Sequence, residues 1–305
     1  MKTIVIPQFY RGPSGQKGLY NRQEVGLARA FAALGCRAVV LYPEPGAKAP
    51  KVETPEPNVK ICYLPAVAFG TQALYKSWQI LLDEQADAVH VMGDNSVGVP
   101  GLYRFCEKHG IVFYSQLGAL KSTSNHAIVR GVMDLLLHRN LTVYRKTPTY
   151  AKTPAVAAEL ESLGVPCRGL MPVGLDTAII PTIPGSKAMI RRELNINEQV
   201  KVLAFVGRLD AYKQPLDLVP LLQAAPDWYA VIIGQGAQSD ELARRLTEAG
   251  PDPPAAQRAG AYLLSCLQRF CEPERKRDFR YEPVGGYVRG LPAGGPPCAG
   301  TGFNY

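Results

Sequence analysis

Apolar positions in residues 1–250 fall into short continuous runs separated by stretches in which they recur near every 3.6 residues. That alternation predicts strands and helices in turn. The run Ile4 to Ile6, stopped by Pro7, predicts a buried first strand. It is followed by a glycine-rich loop, Gly12 to Gly18, and by a helix on which Val25, Ala28, Phe31, Ala32 and Leu34 share the helical period, with Gly35 as its C-terminal stop. Arg37 to Tyr42 predicts the second strand, completing a βαβ unit whose helix N-terminus offers backbone N–H groups to an anion or a sugar. The rhythm continues with a strand at Ala88 to Met92, a helix near Gly98 to Lys108, a strand at Ile111 to Ser115, a helix from about Asn125 to His138, and a helix from Val156 to Leu163 closed by Gly164. Pro166 and Pro172 mark a loop, and Ile179 to Pro184 reads as a crossing between domains. Beyond it the pattern restarts with a strand at Val202 to Val206, a helix at Leu216 to Gln223, a strand at Trp228 to Ile233 and a helix at Ser239 to Ala249. Two consecutive parallel α/β domains are expected, 1–180 and 181–250.

After Gly250 the pattern breaks. Residues 251–305 hold eight Pro and eight Gly in 55 positions and no sustained apolar period, which predicts a poorly ordered tail.

Composition narrows the chemistry. The 34 Lys and Arg against 26 Asp and Glu give +8, too dispersed for a nucleic-acid footprint yet compatible with anionic ligands or an acidic membrane surface. No apolar run approaches the ~18 residues of a membrane span, and the first is too short for a signal-peptide core, so a cytoplasmic location is expected. The seven cysteines, at 36, 62, 106, 167, 266, 271 and 298, form neither a disulfide framework nor a C-x-x-C pair. Histidines 90, 109, 126 and 138 have no ligand at metal-binding spacing, so no metal is expected.

The loop around Gly15 and Gly18 matches neither a Walker A motif nor G-x-G-x-x-G; its interest lies in its position after the first strand. The missing fingerprint, with no acidic residue ~20 positions on, also disfavours a nicotinamide-dependent oxidoreductase. More informative is Phe205-Val206-Gly207-Arg208-Leu209-Asp210-Ala211-Tyr212-Lys213, which puts two cations, Arg208 and Lys213, at the C-terminal end of a strand, where parallel sheets hold ligands. Ile232-Ile233-Gly234-Gln235-Gly236 ends the next strand in Gly-x-Gly, where backbone can approach a ligand closely.

Taken in this order with the Gly15 to Gly35 segment and the junction from Val156-Ala157-Ala158-Glu159-Leu160 through Pro172-Val173-Gly174-Leu175-Asp176, these segments resemble the GT-B glycosyltransferases, in the family-four group that includes glycogen and sucrose synthases and bacterial polysaccharide enzymes. The resemblance implies two Rossmann-like domains, here with the C-terminal one incomplete. It implies an N-terminal domain that binds the acceptor, a glycan or lipid-linked group, and a C-terminal domain that binds a nucleotide-sugar donor, with transfer in the cleft between them. Arg208 and Lys213 match the basic pair that steadies the donor diphosphate. Retention of anomeric configuration, independence of metal and no cofactor beyond the donor substrate are implied as well, with no catalytic residue assigned.

Two departures stand out. Where many members carry His-Gly, this chain has Tyr114-Ser115-Gln116-Leu117-Gly118, leaving His126 as a weaker substitute. The family's signature, two glutamates separated by seven residues with Phe-Gly after the first, is absent. Codons for 261–297 are, however, compatible with a reading one base later that contains S-E-N-E-I-F-G-M-S-L-L-E-A-M, so a frameshift near Gly250 is expected. Such a product would keep two strands and two helices of its second domain, with an unpaired sheet edge, and would be a fragment that at most binds a glycan or a partner. A lesser expectation concerns the helix after Asn125. Over the stretch that runs on into Tyr144 to Lys146, Ile128, Val129, Val132, Leu135, Leu136 and Leu137 with His126, Arg130, His138, Arg139, Arg145 and Lys146 suit a core helix with basic ends, and secondarily contact with an anionic membrane.

Overall fold

In the computed structural model the described residues are 1–10, 23–70, 72–93, 96–118, 120, 127–177, 186–193, 196–225, 227–248 and 261–264. The chain divides into two compact units, Met1–Thr182 and Ile183–Tyr305.

The first unit is a nine-stranded sheet. Its strands are β1 (Thr3–Pro7), β2 (Arg37–Pro45), β3 (Lys51–Glu56), β4 (Val59–Phe69), β5 (Gln72–Tyr75), β6 (Ala88–Val91), β7 (Val112–Leu117), β8 (Thr149–Ala151) and β9 (Cys167–Leu170). They lie in the order β3-β4-β2-β1-β6-β7-β8-β9, with β5 pairing β4. All pairings are parallel except those of β3 and β5 with β4. The helices are α1 (Gln23–Ala33), α2 (Ile80–Asp83), α3 (Val99–His109), α4 (Ala127–Tyr144) and α5 (Pro154–Ser162).

The two-residue period of the strands distributes their side chains to both faces. Val5, Val39, Leu41, Cys62 and Leu64 join Leu102, Cys106, Leu137, Leu141 and Leu160 in one core. Their neighbours Ile6, Ala38, Val40, Tyr42, Val59, Ile61 and Tyr63 pack with Val25 and Ala28 of α1 in the other. Near the N-terminal ends of the strands the buried Glu84 takes Arg37 and Lys60 as ion partners, and Asp87 takes Lys2 and the Thr3 N–H.

The second unit has a three-stranded parallel sheet, β10 (Lys201–Val206), β11 (Trp228–Ile233) and β12 (Ala261–Leu264), in that order, with helices α6 (Lys187–Glu193), α7 (Leu218–Ala224) and α8 (Ser239–Glu248). Leu209, Leu218, Val219, Ala230, Ile232 and Leu242 form its core. The loops that leave β10 and β11 are closed on each other by backbone bonds, Gly207 N–H to Ile233 O at 2.9 Å and Leu209 N–H to Gln235 O at 2.9 Å. Only glycine fits that approach: a Cβ on Gly234 would lie 1.7 Å from Gly207 O, and one on Gly236 would lie 2.3 Å from Leu209 O.

Several sequence expectations are corrected. Strands β3 to β5, β8 and β9 and helix α6 are not announced by the apolar pattern. Strand β9 occupies the stretch between Pro166 and Pro172 that was expected to be a loop. The second unit has a third strand within the segment expected to be a poorly ordered tail: after Gly260, the apolar Ala261 to Leu264 pairs along the β11 edge from Ala230 to Ile233. Helix α4 runs six residues past His138 to Tyr144, because Leu141 and Tyr144 continue its buried face. Leu34 lies beyond the end of α1 and is exposed. The crossing expected at Ile179 to Pro184 lies outside the described residues.

One core group is out of place chemically. His90 on β6 is fully buried between the ring edges of Phe31 and Tyr114, and among the described residues neither ring nitrogen has a well-formed hydrogen bond. Burial pushes its pKa down to about 4, an effect that the nearby Gln116 side chain offsets only in part.

Two predictions follow from the packing. An unfolded chain takes up the His90 proton near pH ~6.5, whereas the folded chain declines it until about pH 4, so stability is complete above this window and lost as pH falls through it. Urea titrations should show a loss of roughly 3 kcal/mol between those limits that is missing from His90→Phe; parallel pH dependences in the two proteins would refute the assignment. Gly234→Ala should destabilise the second unit by more than about 2 kcal/mol. The chain's two tryptophans, Trp78 and Trp228, fall one in each unit, so fluorescence in Trp78→Phe and Trp228→Phe backgrounds separates the units, and the first should unfold unchanged.

Candidate functional site

Strand β10 delivers its last residue, Val206, to a loop whose shape is set by one buried anchor. Leu209 is fully buried in the core of the second unit, and this pins the middle of the loop while Arg208 before it and Lys213 after it remain outside. Asp210 then starts a single 3-10 turn, Ala211–Lys213, and its carboxylate accepts the Lys213 N–H at 3.2 Å. The turn ends at Gln214, in the left-handed region at φ 52°, and Pro215 begins the next turn.

The same Asp210 carboxylate lies 3.2 Å from Arg208 Nε. One short side chain therefore caps the turn and holds the guanidinium. The Arg208 side chain is 62% exposed, so the ion pair is weak and exchangeable, and an incoming anion can replace the carboxylate at little cost. Lys213 does not share this partner: its Nζ lies over the Tyr212 ring, 5.4 Å from the centroid. The structure thus ties Arg208 and the Lys213 backbone to Asp210, and places the Lys213 ammonium on an exposed tyrosine. Asp210 is the residue that sequence reasoning passed over. Its signal was an aspartate three positions before Lys213, at the N-cap of a short turn.

Gly207, Gly234 and Gly236 sit where expected, at the ends of β10 and β11. Their role is the backbone contact between loops described above. Ser239 Oγ donates to Gly236 O at 2.8 Å and fixes the start of α8 against that loop. Gln235 and Gly236 are exposed beside it. The arrangement is a rigid double loop at the C-terminal ends of two parallel strands, with two cations on its rim. It is suited to a ligand that carries negative charge.

In the first unit, Gly15 and Gly18 lie outside the described residues, as does His126. What is described there is how the junction segment is held. Arg29 of α1 bonds both Glu56 and Asp176, each at 2.5 Å, and a Cβ on Gly26 would lie 2.8 Å from that of Asp176. Gln116 Nε2 donates to Met171 O at 2.6 Å. Glu24, buried at the start of α1, accepts from Tyr42 Oη at 2.8 Å. Among the described residues no group of three His, Cys, Asp or Glu is placed to hold a metal ion, and no helix is long and apolar enough to cross a membrane.

No protein-family model matches the sequence, and no curated protein matches it. Solved structures do match in fold. Sucrose-phosphate synthase from Thermosynechococcus elongatus superposes with a TM-score of 0.61 at 14% identity, over 89% of this chain and 72% of that one. HepE of Anabaena in complex with UDP gives 0.56 at 14% identity, over 88% and 71%. A glycosyltransferase from Rickettsia africae gives 0.56 at 10% identity, over 88% and 70%. At such identities the likeness is one of fold: the chain is built as two Rossmann-like α/β units of the GT-B kind.

Proposed function

We propose that the chain is built to transfer a sugar from a nucleotide-sugar donor to a glycan or lipid-linked acceptor. The observation that carries this reading is the double loop of the second unit, where Arg208 and Lys213 stand on the rim of a glycine-closed turn at the C-terminal ends of β10 and β11. The fold shared with glycosyltransferases supports it, and HepE, one of those neighbours, is described in complex with UDP and in complex with UDP and glucose.

In this reading the donor diphosphate takes the place of the Asp210 carboxylate at Arg208, and Lys213 swings from the Tyr212 ring to a phosphate oxygen. As the glycosidic bond breaks, negative charge grows on the departing nucleoside diphosphate, and both cations then act more strongly than in the ground state. Asp210 keeps its bond to the Lys213 N–H throughout, so the loop does not have to refold when the donor arrives. The two cations supply this charge balance themselves, and retention of configuration goes with the family resemblance. The first unit, with its junction tied to α1 through Arg29 and Asp176, would take the acceptor.

A second reading is an inactive fragment that binds a glycan or a partner through its first unit. The three-stranded sheet of the second unit favours it, since among the described residues β10 has a neighbour on one side only.

Titration calorimetry with UDP-sugars separates the two. The transfer reading expects binding that Arg208→Ala or Lys213→Ala weakens by roughly ten- to a hundredfold, the worth of a charge-assisted hydrogen bond. An unmodified chain that takes up no nucleotide sugar while its two tryptophan signals report a folded state would leave the fragment reading in place.

A further inference from the structure

Asp210 makes its two contacts with two different oxygens. Its Oδ1 accepts the Lys213 N–H at 3.2 Å, and this N–H also reaches the Asp210 carbonyl oxygen at 3.0 Å. Its Oδ2 lies 3.2 Å from Arg208 Nε. The first contact shapes the turn, and a neutral N-cap side chain can make it as well. The second requires the negative charge and serves the guanidinium alone.

The partners of that ion pair are held unequally. The Asp210 side chain is 20% exposed and fixed by the turn, whereas the Arg208 side chain is 62% exposed and has no other ion partner among the described residues. When a ligand draws the guanidinium away, the carboxylate stays where it is. Lys213 has no carboxylate partner among the described residues, and its ammonium rests on the Tyr212 ring. The rim of the double loop thus carries a fixed anion of the protein's own beside the cations that a diphosphate would engage.

Such a group acts on a ligand twice. It competes for Arg208 before the ligand arrives, and it repels the ligand's charge afterwards, an effect that grows with that charge. In a nucleotide sugar both ends of the diphosphate are esterified. Loss of the sugar frees a further phosphate oxygen, which is largely ionised at neutral pH, so the departing nucleoside diphosphate is more negative than the donor was. The penalty falls harder on the product. We infer that Asp210 is a positioning residue for product release: its carboxylate takes Arg208 back as the nucleoside diphosphate departs, and it weakens the hold of the site on product more than on donor. This inference rests on the reading of the double loop as a nucleotide-sugar site and adds a direction to it. The same charge opposes the negative charge growing on the leaving group, so the site gives up part of its hold on the transition state in return for faster release.

The experiment is titration calorimetry of the full chain with UDP and with UDP-glucose, repeated on Asp210→Asn, which keeps an oxygen for the Lys213 N–H and loses the charge. The variant should bind UDP roughly three- to tenfold more tightly and UDP-glucose by a smaller factor, and UDP dissociation followed by stopped flow should slow to match. Both gains should shrink as salt rises. Asp210→Ser, a second neutral cap, should move the affinities in the same direction and serves if the Asn variant fails to fold, as judged by the Trp228 signal. Neutral variants that bind UDP no better than the unmodified chain would make Asp210 a cap and nothing more, overturning the inference with the nucleotide-sugar reading intact. Equal gains for UDP and UDP-glucose overturn it too, since the preference against product is then missing. If neither the unmodified chain nor the variants take up either ligand while Trp228 reports a folded unit, the nucleotide-sugar reading itself falls and the inference with it.

Discussion

Both faces of the central strands of the first unit are buried, and this leaves their ends as the places where a charged group can stand, either in solvent or, like the buried Glu84, against opposite charges that offset its desolvation. The consequences run through the unit. At the N-terminal ends, Glu84 with Arg37 and Lys60, and Asp87 with Lys2, tie neighbouring segments together. At the opposite ends lie the loops that leave β1, β6 and β7, and in the second unit the corresponding position is taken by Arg208 and Lys213. His90 is the exception that shows the rule's strength: placed inside rather than at an end, it gives up its charge over most of the pH range.

The sequence is legible where a strand and its helix each have room to display a period. The stretch from Trp228 to Ile233 is a strand with those limits, because six apolar residues between polar neighbours leave one solution. Strand β8 is three residues long and β9 four, too short for any periodicity, and Gly169 and Pro166 dilute what signal there is. The long β4 carries Pro65 within an apolar run, and β3 carries Pro55, so both read as broken segments although they pair as an antiparallel edge of the sheet. Helix α4 reads short because its exposed half is as apolar as its buried half, and composition alone does not say which half meets the core.

For the candidate site, residue type and place are readable, but partners are not. Arg208, Lys213 and the three glycines of the second unit can be found from a strand end followed by cations and a Gly-x-Gly. That Gly234 and Gly207 must touch, and that Asp210 serves the turn and the guanidinium at once, depends on the approach of two strands 27 residues apart in sequence. No local pattern encodes such a contact. The loop is consequently shaped before any ligand arrives, and ordering it adds little to the entropy lost on binding.

Strand β10 brings a different consequence. Its Val206 is exposed, and along the side away from β11 no strand accompanies it among the described residues. Backbone donors and acceptors presented in a row of that kind are a template for any extended peptide, including the same strand of another molecule. The concentration at which the protein can be held in solution, and the demand it places on chaperones during synthesis, would then be governed by six residues that also carry the Arg208 loop.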